Sequence, residues 1–173
     1  MTDLQHFVKN REYLVCVDSD GCAMDTMDIK HFRCFGPCMV EEWGLEEWAQ
    51  PILARWNEIN LYTMTRGVNR FKGLAMALDE INAQYTAIEG LDELKAWAGS
   101  APGPAHGAVG KALPAAQGPC LAKALSWSKK VNAAINALPE SEKKPFDGPA
   151  AGLAAAHAAA DVAVVSSANR EAV

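Results

Sequence analysis

The chain has 173 residues, of which 50% are hydrophobic and 21% are charged, and its formal net charge is -5. This composition is that of an ordinary globular protein and excludes a fibrous or wholly disordered chain. The acidic balance argues against nucleic acid as a partner, because binding to phosphate backbones relies on a basic surface. No run of about 18 apolar residues and no signal-peptide core occur, so we expect a cytoplasmic protein without a membrane partner.

The cysteines are expected to be reduced thiols, because their number is odd and no export signal is recognisable. Cys34 and Cys38 form a CxxxC pair, but no His or Cys pair at zinc spacing completes a metal site. We interpret both as packing residues.

Residues 13–26, YLVCVDSDGCAMDT, carry the most informative pattern of the chain. The segment opens with a short apolar run rich in β-formers and without alternation, which predicts a strand buried on both faces of a parallel sheet. Asp18 then lies at the carboxyl end of the strand, where α/β folds bind ligands, and Gly21 allows a sharp turn. If the extended geometry continues to Asp20, both carboxylates face the same way and can divide the roles of nucleophile or metal ligand and proton carrier.

The DxDG sequence has two other interpretations. A calcium-binding EF-hand needs carboxylates at its first and last ligand positions, where this chain has Cys16 and Met27. A surface turn with two solvated aspartates stays open, because DxDG is a short signal.

From residue 24 to about residue 138 the pattern is almost wholly helical. Apolar positions at helical spacing predict helices near 40–48, 71–81, 91–97 and 120–138, and Pro51 predicts a break between helices at Gln50–Pro51. The tryptophans on these stripes are interpreted as core residues. Residues 99–119 are dense in Gly, Pro and Ala, which predicts a loop or hinge.

A second strand is predicted near the end of the sequence. Residues 150–160 form an alanine-rich helix pattern, and the apolar run 161–165 that follows predicts a buried strand closing on Ser166. The expected fold class is therefore α/β, with parallel strands near 13–17 and 161–166 and a large all-helical insertion between them. A serine at a strand end also serves as a helix cap, so Ser166 alone is weak evidence of a site.

The residues of the first strand end carry a family resemblance. The sequence DSDG at 18–21, followed by Asp25 and Thr26, resembles the first motif, DxDGxxxD[ST], of the haloacid dehalogenase superfamily. Cys22 departs from the Thr or Val that the family usually has, but a small, weakly polar residue can fill the same space. The strand that closes on Ser166 after a Pro-Phe-x-Gly helix resembles the second motif of the same superfamily.

The resemblance implies a magnesium-dependent phosphatase that acts on a small phosphorylated metabolite through an aspartyl-phosphate intermediate. Asp18 would be the nucleophile and Asp20 the general acid and base, and both would hold Mg²⁺. A dehalogenase or phosphonatase of the family would lack an acid at position 20. The expected phosphate-binding residues are Gly21, Ser166, Ser167 and Asn169.

The resemblance also divides the chain into core residues 1–22, a helical cap of the first type at 23–144 and core residues 145–173. Within the cap, segment 66–72 presents three cations suited to an anion, and Arg70 is its candidate substrate-binding residue. An exposed basic loop explains that segment equally well.

The third and fourth motifs of the superfamily lie on later strands and have no counterpart here. We therefore expect an N-terminal fragment that lacks the remainder of the core and is inactive alone. A function of another class stays open: a non-catalytic helical binding domain, in which the acidic turn is incidental and the Trp-rich helices meet a partner.

Overall fold

The computed structural model describes residues 7–100 and 118–166. Two short strands, β1 (Leu14–Val17) and β2 (Asp161–Val164), pair in parallel, with Leu14 opposite Asp161 and Val17 opposite Val164. The described residues also form seven α-helices: α1 (Met27–Lys30), α2 (Gly36–Trp43), α3 (Ala49–Asn57), α4 (Arg70–Gln84), α5 (Leu91–Gly99), α6 (Pro119–Asn136) and α7 (Pro149–Ala159). The described fold is thus mostly helical α/β, with one small parallel sheet.

Two of the helices continue as a turn of π-helix. The α1 helix runs into the π-helical segment His31–Phe35, and α3 runs into Glu58–Tyr62. Such turns are rare and frequently occur at functional sites. The first one carries His31, directly after the end of α1, and the second leads into the loop that holds Arg66.

The parallel pairing of the two predicted strands is confirmed, but their predicted burial on both faces is wrong. Leu14 is 49% exposed and Val164 is 62% exposed. In the part of the chain that the structure describes, each strand has one neighbour, so little covers either face of the sheet. The apolar composition of the strands correctly predicted a parallel sheet. It does not indicate how many neighbouring strands cover each of them.

The predicted helix break at Gln50–Pro51 lies in the wrong place. The α2 helix ends at Gly44, whose φ of 67° is in the left-handed region that glycine adopts without strain. A 3₁₀ turn at Glu46–Trp48 follows, and α3 then begins at Ala49. Pro51 is tolerated near the start of α3 because the first N–H groups of a helix have no helical partner.

The hydrophobic core belongs to the helices. Its buried cluster extends from Cys34 to Leu138. Trp56 and Trp127 are 1% and 0% exposed, and their rings meet edge to face with centroids 6.1 Å apart. The other three tryptophans pack against the cluster while partly buried, which confirms their interpretation as core residues.

The helices predicted near 71–81, 91–97, 120–138 and 150–160 are confirmed as α4, α5, α6 and α7. Most of the loop predicted at 99–119 lies outside the described residues. All five cysteines are free thiols, as expected. None of the described helices combines the length and the apolar character needed to cross a membrane.

Candidate functional site

The carboxyl ends of the two strands bring distant parts of the sequence together. Because β1 and β2 are parallel neighbours, the hydroxyl oxygens of Ser19 and Ser166 lie 2.8 Å apart. The Val165 N–H donates to the Val17 carbonyl at 2.8 Å, so the pairing continues one step beyond β2. Asp18 is therefore fixed at this edge of the sheet, between the paired Val17 and Ser19.

The chain turns sharply directly after β1. The Met24 N–H donates to the Ser19 carbonyl at 2.8 Å, and the Gly21 N–H donates to the Met24 carbonyl at 2.8 Å. Gly21 has a φ of 72°, which requires the conformational freedom of glycine. Extended backbone does not reach Asp20, so the spacing argument that would aim Asp18 and Asp20 the same way does not hold.

The two aspartates have different surroundings. Asp18 is exposed, and its Oδ1 accepts a hydrogen bond from the Ser19 N–H at 2.8 Å. The Asp20 carboxylate accepts from the Thr26 hydroxyl at 2.6 Å and from Lys30 Nζ at 2.7 and 2.9 Å. Lys30 is only 6% exposed, so this ion pair is largely screened from water. Asp18 thus presents an open carboxylate at the strand end, while Asp20 is held from the helical side.

Two arginines from the helical region approach the same turn. Arg66 Nη2 lies 3.0 Å from the position that a Cβ on Gly21 would take, so the guanidinium rests against the glycine. Arg70 begins α4 and is 9% exposed. Burial lowers the pKa of Arg70 to about 10, while the charge of Asp20 acts in the opposite direction. The charge of Asp20 therefore acts electrostatically on Arg70, with no ion pair between them.

His31 is a neutral side chain beside these charges. Its Nδ1 accepts a hydrogen bond from Trp56 Nε1 at 3.1 Å, and its ring stacks on Phe35 with centroids 4.7 Å apart. Burial first, and then the charge of Arg70, lower the pKa of His31 to about 4, while Asp20 acts to raise it. Since Nδ1 accepts, the neutral ring carries its proton on Nε2 and can donate a hydrogen bond there.

Most of the predicted site residues that the structure describes meet at this edge. Asp18, Asp20, Gly21 and Ser166 come from the two strand ends, whereas the described hydrogen bonds of Arg70 go to Ser128 and Asn132 on α6. The predicted phosphate ligands Ser167 and Asn169 lie outside the described residues.

Sequence reasoning missed Lys30, Thr26, His31 and the hydroxyl of Ser19. A signal for Lys30 was present, because it follows Thr26 by four residues and α1 places such positions on one helix face. Nothing in the sequence indicated that this face would meet Asp20.

The turn offers two oxygen atoms that suit Mg²⁺. The second carboxylate oxygen of Asp18 and the main-chain carbonyl of Asp20 accept no hydrogen bond from any described residue. Magnesium is usually held by one or two carboxylates together with several waters and substrate phosphate, so this set fits the ion. No cluster of three or more His, Cys, Asp or Glu side chains occurs within residues 7–100 and 118–166. Because Lys30 engages both carboxylate oxygens of Asp20, the main-chain oxygen of that residue is the one that would face such an ion.

Comparisons of this chain with protein-family models, with curated proteins and with solved structures found no match. The function is therefore argued from the geometry of the strand ends and the helices around them.

Proposed function

We propose that this chain carries part of the active site of a magnesium-dependent phosphatase of the haloacid dehalogenase type, which acts on a small phosphorylated metabolite. The observation that supports the proposal is that the strand ends bearing Asp18 and Ser166 are neighbours in a parallel pair, with the Ser19 and Ser166 hydroxyls 2.8 Å apart. Each strand end resembles a different motif, and neither motif contains information about the position of the other. Their proximity in space is therefore independent support for the resemblance.

The helices between β1 and β2 act in this proposal as the cap of the site. Two contacts support that role: Lys30 pairs with Asp20, and the Arg66 guanidinium rests on Gly21. Helical residues thus touch the acidic turn directly. A cap in this position excludes water from the reacting groups and selects the substrate.

The proposed reaction has two steps. A carboxylate oxygen of Asp18 attacks phosphorus, the bond from phosphorus to the leaving oxygen breaks, and Asp20, which enters this step as the carboxylic acid, donates its proton to that oxygen. Asp20 then takes a proton from the water that hydrolyses the acyl phosphate, which releases inorganic phosphate and restores Asp18. The Ser19 and Ser166 hydroxyls hydrogen-bond the phosphoryl oxygens. Asp18 and the Asp20 carbonyl would hold Mg²⁺, which would supply positive charge to offset the charge on those oxygens.

The contacts of Asp20 place its carboxylate apart from that of Asp18. Thr26 and Lys30 hold its carboxylate on the helical side of the turn, where the cap would place the leaving group. Asp18 and Ser166 stay at the sheet edge, where the phosphoryl group would bind. The different surroundings of the two acids, rather than their spacing, support the proposed division of labour between them.

The test is magnesium-dependent phosphate release by the full-length protein, measured with an aryl phosphate and with a series of alkyl phosphates. Asp18→Asn should abolish turnover, because an amide is a poor nucleophile and a weak magnesium ligand. Asp20→Asn should cost about 10² to 10⁴ with alkyl phosphates and less with the aryl phosphate, whose leaving group needs little protonation.

Appreciable turnover by a sequence-verified Asp18→Asn preparation would contradict the nucleophile assignment. Equal losses across the leaving-group series would instead remove the general-acid role from Asp20. Asp25→Asn is a matched control, since Asp25 is exposed on the same turn and has no part in the proposed chemistry.

The non-catalytic alternative draws little support from the aromatic residues. It relied on the Trp-rich helices meeting a partner, but Trp56 and Trp127 are core residues and the other tryptophans pack against the core. The phosphate-release assay separates the two functions, because a binding domain would release no phosphate in a manner that depends on Asp18.

A further inference from the structure

The arginines of the helical region fall into two groups by their ion pairs. Arg33 and Arg55 pair with glutamates on the protein surface. Arg66 and Arg70, beside the acidic turn, form no ion pair with any described carboxylate; their hydrogen bonds go to neutral oxygens. The two arginines closest to the candidate site are thus the ones left without a counter-anion among the described residues.

Arg70 is the more informative of the two because it is buried. Its Nη1 donates to Asn132 Oδ1 at 2.9 Å and to Ser128 Oγ at 3.3 Å, both on α6. Its guanidinium carbon lies 5.0 Å from the centroid of the Phe35 ring, and its Nε is buried without a hydrogen-bond partner. Neutral oxygens and an aromatic face leave a buried positive charge poorly compensated, and such a charge is costly unless an anion pairs with it.

Asp20 does not fill that role. Both of its carboxylate oxygens are engaged by Lys30, at 2.7 and 2.9 Å, and it makes no ion pair with Arg70. An anion that binds from outside the chain would compensate Arg70 without disturbing the pair of Asp20 and Lys30.

Phe35 connects His31 to Arg70, because the His31 ring stacks on Phe35 and the Arg70 guanidinium lies over the same side chain, while Arg66 lies against the acidic turn. Arg66 Nη1 donates to the Leu61 carbonyl at 2.9 Å, which fixes the guanidinium, while Nη2 lies against Gly21. After burial, the charges of Arg70 and Arg66 both act to lower the pKa of His31, in agreement with its contact with Phe35 beside Arg70. The Nε2–H of the neutral His31 ring adds a donor without adding charge.

On the basis of the phosphatase function, we propose that Arg66 and Arg70 form a second anion subsite in the cap, with His31 as a neutral donor beside it. It binds a carboxylate or a second phosphoryl group of the substrate, while Asp18 and Ser166 take the phosphoryl group that is transferred. The planar fork of a guanidinium matches both kinds of oxyanion. The substrates are therefore phosphate monoesters that carry a further anionic group.

Lys72 provides a control that distinguishes this subsite from a simple basic loop. It lies within segment 66–72 and carries the same charge, but it is exposed on α4 two residues after the buried Arg70. Lys72→Gln is therefore a control that removes one positive charge from the same segment without touching the proposed contacts.

The experiment is isothermal titration calorimetry of the full-length protein without magnesium, so that hydrolysis does not intervene. Three probes are compared: glycerol 3-phosphate, 3-phosphoglycerate and 2,3-bisphosphoglycerate. Hydrogen bonds to charged groups are worth about 1.5–3 kcal/mol, so 3-phosphoglycerate should bind about 10- to 100-fold more tightly than glycerol 3-phosphate. A larger gain with the bisphosphate would identify a second phosphoryl group as the preferred anion.

Arg66→Gln and Arg70→Gln should each remove most of this preference and leave the affinity for glycerol 3-phosphate nearly unchanged, while Lys72→Gln keeps the preference. Arg66 is exposed, so its variant decides the question even if Arg70→Gln fails to fold, which far-UV circular dichroism would reveal. Equal affinities for the two monoesters, no detectable binding of 3-phosphoglycerate, or an equal loss in Lys72→Gln would each overturn the subsite.

Failure of the anion subsite is distinguishable from failure of the phosphatase function. An arginine-dependent preference together with phosphate release that ignores Asp18 would leave the anion site standing and remove the proposed chemistry. Asp18-dependent turnover without the preference for a second anionic group would support the phosphatase function and remove the anion subsite.

Discussion

The helical region and the strand unit are held together in different ways. The helices bury a continuous hydrophobic cluster in which side chains such as Leu74 and Leu78 are 0% exposed. The strand unit consists of β1, α7 and β2, and Ala160 is its only buried apolar residue among those described. No residue of α7 is buried. The free energy of folding therefore comes mainly from the helices, while the acids and Ser166 lie on the unit with the least buried surface.

Polar contacts connect the two regions. The buried Lys30 reaches Asp20 from α1, and the Phe146 N–H, in the segment before α7, donates to the Ala23 carbonyl in the turn at 3.1 Å. The acidic turn is therefore held from the helical side as well as from the strand unit. A cap that both positions an acid and contacts the substrate can couple substrate binding to the geometry of the turn.

The largest effect is expected from a pair of matched substitutions, which compares the stability contributed by the helical region with that contributed by the strand unit. Leu78→Ala should lower the free energy of unfolding by about 2–5 kcal/mol, because it leaves a cavity in the helical core. Leu14→Ala in β1 should cost less than about 1 kcal/mol, because half of that side chain already contacts water. Urea denaturation followed by far-UV circular dichroism measures both values.

Similar losses for the two leucines would show that the strand unit shares a cooperative core with the helices. The described burial would then underestimate what covers β1, and the contrast between the regions would be lost.

A smaller effect on the free energy of unfolding is expected from a change in pH. It tests the burial of His31 in the helical region. The pKa of His31 is lowered to about 4 in the folded protein, mainly by burial, whereas an unfolded histidine titrates near 6.5. Between these values the unfolded chain binds more protons, so acidification favours unfolding. The stability present above about pH 6.5 is lost as the pH falls towards 4, and the loss should reach about 2 kcal/mol at pH 5.

The measurement is urea denaturation at pH 7.5 and pH 5.0. In His31→Gln the pH-dependent loss should be smaller by about 2 kcal/mol than in the wild type, because glutamine does not titrate there. His157 on α7 is exposed, so His157→Gln is a matched control that keeps the wild-type pH dependence. An unchanged pH dependence in His31→Gln would mean that His31 is not buried in its neutral form.

The parts of the fold that depend on local pattern could be predicted from the sequence. The apolar runs before Asp18 and Ser166 gave the two strands, and helical periodicity gave α4 to α7. The break at Gly44 could not be placed, because Pro51 is also compatible with the first turn of a helix. The prediction that the strands are buried on both faces was wrong for a different reason, because burial depends on how many strands and helices pack around them.

The candidate site shows the same division. Asp18, Gly21 and Ser166 could be named because motif and strand end coincide, whereas the pairing of Lys30 with Asp20 depends on the angle at which α1 leaves the turn. The burial of Arg70 against α6 depends on long-range packing of helices that no local pattern encodes. The sequence indicated a basic segment, and only the structure separates Arg66 and Arg70 from Lys72.

The central claim is that the Asp18 carboxylate accepts the phosphoryl group, and chemical trapping tests it most directly. The full-length protein is mixed with magnesium and an aryl phosphate, quenched in acid during turnover and treated with borohydride, which reduces an acyl phosphate to the alcohol. Mass spectrometry of the peptide that contains residues 13–26 should then show homoserine in place of the aspartate at position 18, and no such product from Asp18→Asn. Phosphate release without homoserine at that position, or a phosphoryl group trapped on Ser19 or Ser166, would contradict the account.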